Sequence, residues 1–190
     1  MSVITIQPVG NETLDRVNKI LAGFPGGAYK AAYNALRRAG DTGKTKAGQF
    51  AAAEYTISKG AFMRSVTEKT TISGGAGGVA EMKISFAGQV LPLLTFNTKF
   101  SRDGRVQTQV KRSGGAAALD HAWVAKVYGP AAVFERLGDS RFPIEQKFGP
   151  STAHMMQNEQ VVEKMEKTIG ETFEARMDHE ILRIMNGWGG

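Results

Sequence analysis

The pattern that most restricts this chain lies near its C-terminus. Val161, Met165, Ile169, Phe173, Met177, Ile181 and Met185 follow one another at four-residue intervals. This spacing predicts one long amphipathic helix, starting between Ser151 and Asn158 and ending near Asn186. An α-helix advances about 100° per residue, so each step overshoots one turn by about 40° and the stripe drifts by about 240° along the run. A drifting stripe must cross its partner obliquely, bend at Gly170, or meet different neighbours along its length. Either the helix crosses its own sheet, or it starts on its own domain and finishes on another subunit. Under the second arrangement Met165, Phe173, Met177, Ile181, Met185 and Trp188 are candidate interface residues. Methionine is flexible enough for a core or for an adaptable interface.

The rest of the chain divides by periodicity. Val3 to Val9 reads as a strand. Asn11 can cap a helix carrying Leu14, Val17, Ile20 and Leu21, and the run GFPGG ends it. AYKAAYNALRRAG is a second helix, with Gly40 as its terminating residue. Thr45 to Ile57 is a third, and Ser58 can cap one or two further turns. From Thr70 the pattern changes. Ala80, Met82, Ile84 and Phe86 alternate with Glu81, Lys83 and Ser85, as in a half-buried strand. QVLPLLTF suits an edge or loop-like strand because of its proline. Asp103-Gly104 marks a hairpin, with Val106, Thr108 and Val110 on one face of its second strand. AWVAKVYG and AVFERLG add two short strands. The expected fold is α+β: N-terminal helices, a small antiparallel sheet and a long C-terminal helix packed on it. One domain is expected over residues 1–190, with a mainly helical part (1–68), an antiparallel part (69–145) and the long helix (146–190).

Few reactive groups stand out. There is no cysteine, which excludes disulfides, cysteine metal sites and thiol catalysis. His121, His154 and His179 lie far apart, and HEILR opens like a zinc-binding helix but ends in Arg183. GDTGKT resembles a phosphate loop, yet Arg38 stands where that pattern needs glycine. A helix end and basic linker explain it better. SGGAGGVA, with glycines between 74 and 78, reads as a hairpin loop. No catalytic, metal or cofactor site is therefore expected. No apolar run reaches the roughly 18 residues of a membrane span, and the N-terminus lacks the pattern of a secretory signal. The net charge of +6 permits contact with nucleic acid without requiring it.

Arg141-Phe142-Pro143-Ile144, then Gly149-Pro150-Ser151, then Met155-Met156, then a long helix ending MDHEILRIMNGWG, occur in that order. Together they resemble the minor tail protein Z family of tailed bacteriophages, which are tail-completion proteins. AYNALRRAG and AEYTISKGAFMRS extend the likeness into the N-terminal half. The resemblance implies a structural virion protein that assembles in the bacterial cytoplasm. It would complete the head-proximal end of the tail and help join it to the head (the neck). A homo-hexameric ring is implied, with a tail terminator, tail tube or head-tail connector as partners. Lys99, Arg102, Arg105, Lys111 and Arg112 are candidates for facing DNA in the lumen of such a ring. The alternative is a basic, non-specific nucleic-acid-binding module. A hydrolase or transferase would rest on the three histidines alone.

Phe142, Pro143, Ile144, Gly149, Pro150 and Ser151 read as a joint. Pro143 suits the end of an edge strand, with Phe142 and Ile144 anchoring it to the core. Gly149-Pro150 would stop the strand and Ser151 would cap the helix beyond it. Changes at Pro143 or Gly149 are then expected to harm assembly more than folding.

Overall fold

The computed structural model describes residues 2–6, 11–74, 80–100, 105–127 and 129–187. The chain begins with strand β1 (Ser2–Ile6) and helices α1 (Asn11–Ile20), α2 (Gly27–Glu54) and α3 (Lys59–Ser65). Strands β2 (Thr67–Gly74), β3 (Ala80–Ala87) and β4 (Val90–Pro92) come next, and a 3-10 turn at Leu93–Thr95 leads to β5 (Asn97–Phe100). The chain continues through β6 (Val106–Gln109), β7 (Ala117–Leu119), β8 (Ala122–Ala125) and β9 (Ala132–Arg136). Strands β10 (Ile144–Gln146) and β11 (Phe148–Ser151) precede helices α4 (Thr152–Met155) and α5 (Glu159–Met185). The expected α+β class holds, with several small antiparallel sheets and a long C-terminal helix.

Two compact units form, and neither matches the three successive parts read from the sequence. The helix-rich unit takes described residues of 2–47, 68–86 and 162–187, and the strand-rich unit those of 48–67 and 87–161.

In the helix-rich unit, β1, β3 and β2 form one sheet in the order β1-β3-β2, and Ile4 faces Ile84 across the β1–β3 ladder. Ile4, Met82, Ile84 and Phe86 are buried while Val3 and Lys83 are exposed, as period-two alternation requires. Helix α2 departs most from the sequence reading. It does not stop at Gly40; it runs for 28 residues through Gly40, Gly43 and Gly48. GDTGKT is therefore neither a helix end nor a linker. Three interior glycines cost a helix about 1 kcal/mol each relative to alanine, so packing must compensate.

The geometry shows how. A β-carbon at Gly40 would lie 2.5 Å from Met82 Sδ on β3. One at Gly43 would lie 2.6 Å from Ile169 Cδ1 on α5. Alanine dominates the rest of the buried face, at Ala31, Ala32, Ala35 and Ala39. Small residues bring the α2 backbone close to a strand and to a helix.

The α5 stripe is buried by its own chain. Val161, Met165, Ile169, Phe173, Met177 and Ile181 are all core residues. Within the helix-rich unit the neighbours change along the helix. Ile169 meets α2 at Gly43, Glu180 Oε2 accepts from Asn34 Nδ2 at 3.0 Å, and Ile184 approaches Gly27. Those pairings run antiparallel. The angular drift is thus absorbed inside the chain, which buries most of the surface of Met165, Phe173, Met177 and Ile181. Met185 is exposed, and Trp188 lies outside the described residues.

Among its described residues the strand-rich unit holds three small sheets, ordered β10-β9-β8, β11-β4 and β5-β6-β7. Leu93, Val106, Ala122 and Val133 form a core cluster, with Leu94, Val110, Leu119 and Val124 packed against it. The β5–β6 pairing matches the predicted hairpin, with Phe100 opposite Val106. Its Asp103-Gly104 turn, residues 7–9 of the first predicted strand and the glycine-rich stretch at 75–78 lie outside the described residues.

Gly43→Val is expected to lower stability by about 2 kcal/mol, because overpacking a filled contact costs about 1–3 kcal/mol. Gly170→Ala on α5, where a β-carbon meets nothing within 4 Å, should gain up to about 1 kcal/mol. Denaturant unfolding of both variants checks this, and an unchanged midpoint for Gly43→Val would contradict the packing.

Candidate functional site

The joint residues occupy a stretch built differently from expectation. Pro143 precedes the edge strand β10 rather than ending a strand, and its carbonyl accepts from the Leu137 amide at 3.2 Å. Phe142 is 62% exposed, so it does not anchor the segment. Ile144 is half-buried. Gly149 and Pro150 do not stop a strand; they lie within β11, which pairs with β4 around a register shift. Ser151 does act as a helix cap, its hydroxyl accepting from the His154 amide at 3.1 Å. The capped helix is the short α4. Helix α5 starts after Met156, Gln157 and Asn158, with Asn158 Oδ1 accepting from the Gln160 amide at 3.0 Å.

Gly149 has a packing role that the sequence did not reveal. A β-carbon there would come within 3.0 Å of Phe96 Cζ, and Phe96 is buried. The strand backbone rests on that ring, so a larger side chain disturbs folding first. This moves the expected effect of a Gly149 change from assembly to stability.

The basic candidates are divided by their bonding. Lys99 lies exposed on β5, opposite Gln107. Arg105 and Lys111 are also exposed. Arg112 instead finishes a helix: its Nε donates to the Ala52 carbonyl at 2.8 Å and its backbone amide to the Glu54 carbonyl at 2.8 Å. Both carbonyls belong to the last turn of α2, where four acceptors lack helical partners. A cation there also opposes the helix dipole. Arg112 is therefore a helix cap, and Lys111 bridges to Tyr55 beside it. Arg102 lies outside the described residues.

The histidines share no site. His121 adopts φ 60° between β7 and β8, a left-handed conformation found at tight turns. His154 sits exposed on α4, and His179 lies on α5 beside Arg176 and Ala175. No group of three or more His, Asp or Glu residues able to hold a metal occurs among the described residues. Likewise, no helix among them is long and apolar enough to cross a membrane.

Recesses occur in both units among the described residues. In the strand-rich unit, Glu54, Lys111, Ser113, Asn158, Glu159 and Gln160 line a polar one of about 350 Å³. In the helix-rich unit, α1 and α5 enclose a groove of about 610 Å³. Its floor is Val17, Phe173, Met177 and Ile181, and its walls include the exposed Ile20 and Leu182. No sequence motif marks this groove, because its residues come from two helices with separate periodicities.

At the β9–β10 edge, Lys147 Nζ lies 2.5 Å from Glu135 Oε2 and 3.3 Å from Glu145 Oε2. The hydrogen bond to Glu135, aided by Glu145, holds the ammonium pKa above its ordinary 10.5. A raised lysine pKa contributes stability below the unfolded value and loses it as pH rises through the folded value.

Wild type should therefore lose stability more steeply above about pH 10.5 than Lys147→Met does. Parallel melts at rising pH check this, and identical slopes would contradict it. Gly149→Val should cost about 1–3 kcal/mol by overpacking, read from the urea midpoint. A wild-type midpoint would show that Phe96 yields.

Compared with protein-family models, curated proteins and solved structures, the chain matches none.

Proposed function

We propose that this chain is a structural protein of a tailed-phage particle. It completes the head-proximal end of the tail, helps join it to the head, and assembles there as a homo-hexameric ring. The reading rests on the ordered resemblance from Arg141 to Gly189. The observation that carries it is that both units leave large apolar side chains in water. Ile20, Leu182 and Met185 are exposed in the helix-rich unit, and Val90, Leu137, Phe142 and Phe148 in the strand-rich one. Single exposed apolar residues are ordinary, but an apolar groove with exposed walls suits protein docking. A cyclic assembly uses two different surfaces of each subunit, so apolar exposure on both units fits a heterologous ring.

The function in this reading is mechanical and needs no catalytic group. Partners would be the tail terminator, tail tube or head-tail connector, and the place of action the neck of the virion. A basic nucleic-acid-binding module is the second reading. The observation favouring it is Phe100, exposed at the end of β5, on the same strand as the exposed Lys99. A single-strand platform combines stacking rings with a basic groove.

Mass measured in solution and on purified particles separates the two. The assembly reading predicts a ring in particles, and a strict monomer that never enters particles would contradict it. The second reading predicts single-strand binding that falls steeply with salt; no binding at low salt would remove it.

A further inference from the structure

We propose that the α1–α5 groove of one copy receives the Arg141–Phe142 knob of a second copy. This inference rests on the assembly reading and specifies the contact through which subunits join head to tail.

The knob belongs to the connection between β9 and β10. Residues 137–143 are exposed throughout. Phe142 is 62% exposed and Leu137 61%. The Arg141 guanidinium carbon lies 5.7 Å from the Phe142 ring centroid, within cation–π range. The loop thus presents a ring already paired with a cation. That pairing limits the side-chain freedom lost on docking.

The groove offers the complementary chemistry. Its floor is apolar and includes Met177, whose flexible side chain can adapt to an inserted ring. At about 610 Å³ it has room for an aromatic side chain and the stem of an arginine. Its rim carries Glu174 and Asp178, four residues apart on one face of α5, against the single cation Arg16. The groove-lining charge is then −1 on a chain of net charge +6. The knob contributes a cation beside its ring: within residues 137–143 Arg141 is the one basic residue, with Asp139 the one acid. Phe142 is solvent-exposed in its own chain. Ring into apolar floor and guanidinium onto acidic rim is the arrangement that satisfies both surfaces. Knob and groove are different surfaces, so the contact is heterologous and can propagate into a ring.

The test uses the purified full chain and two variants at exposed positions, Phe142→Asp on the knob and Leu182→Asp on the groove wall. Sedimentation velocity over a concentration series reads the assembly state. Wild type should self-associate, and each variant alone should weaken association by at least about tenfold, as expected for loss of an aromatic anchor. Mixing the variants leaves one intact knob and one intact groove per pair. The mixture should form a 1:1 heterodimer and nothing larger, which also shows that both variants are folded. Arg141→Glu should weaken association, and Glu174→Arg with Asp178→Arg in the second copy should restore it. Variants that assemble like wild type would overturn the knob-and-groove contact while leaving the assembly reading intact. Variants that stay monomeric even when mixed would likewise overturn it, since the retained knob and groove would not have met. A wild-type chain that stays monomeric at every concentration, and is absent from particles, would overturn both.

Discussion

The backbone of α2 touches a strand and a helix that no side chain on it would let approach so closely. Gly40 faces Met82 and Gly43 faces Ile169. The arrangement of the helix-rich unit depends on these two approaches. The strand positions one side of α2, and the apolar stripe of α5 closes the other. Each glycine sacrifices helix propensity of about 1 kcal/mol. The return is close packing at native density, which a gap of even about half an ångström would forfeit in part. Once α2 is continuous and closely packed, the α5 stripe has its partner inside the chain, and its angular drift becomes a change of neighbour along one long helix.

That internal closure decides which surfaces remain for other molecules. Met165, Phe173, Met177 and Ile181 are largely buried by the chain itself, the last three as the floor of the α1–α5 groove. Among the apolar side chains that the fold leaves uncovered are Leu182 on the edge of α5, Ile20 on α1, and Leu137 and Phe142 on the β9–β10 loop. Arg112 is likewise committed to the α2 terminus, where its guanidinium satisfies a helix carbonyl. Lys99, Arg105 and Lys111 are exposed on the strand-rich unit. A structural role in a tail, as proposed, would draw on these surfaces and on the groove that α5 forms with α1.

Strand periodicity was the most legible part of the sequence. The alternation from Ala80 to Phe86 gave β3 and its buried face, and the pairing of residues on either side of Asp103-Gly104 gave the β5–β6 hairpin. The caps at Ser58 and Ser151 could be read from residue type alone, since both hydroxyls accept an amide three residues on. Glycine misled in α2 and in β11 for one reason. Local propensity treats it as a stop, whereas Gly40, Gly43 and Gly149 are close approaches whose partners are 42, 126 and 53 residues away in sequence (82 − 40, 169 − 43, 149 − 96). The capping role of Arg112 was hidden for a related reason: a cation's partner carbonyl is invisible until the fold brings it near. The groove was hidden because it combines residues from α1 and α5, neither of which marks it alone.

The continuity of α2 through its glycines is the central structural claim, and amide hydrogen exchange of the free chain measures it most directly. If α2 is one packed helix, the amides of residues 40–48 exchange as slowly as those of residues 31–39, in keeping with cooperative protection of a buried element. Fast exchange confined to residues 40–46, between two protected segments, would show a linker between separate helices and contradict the account.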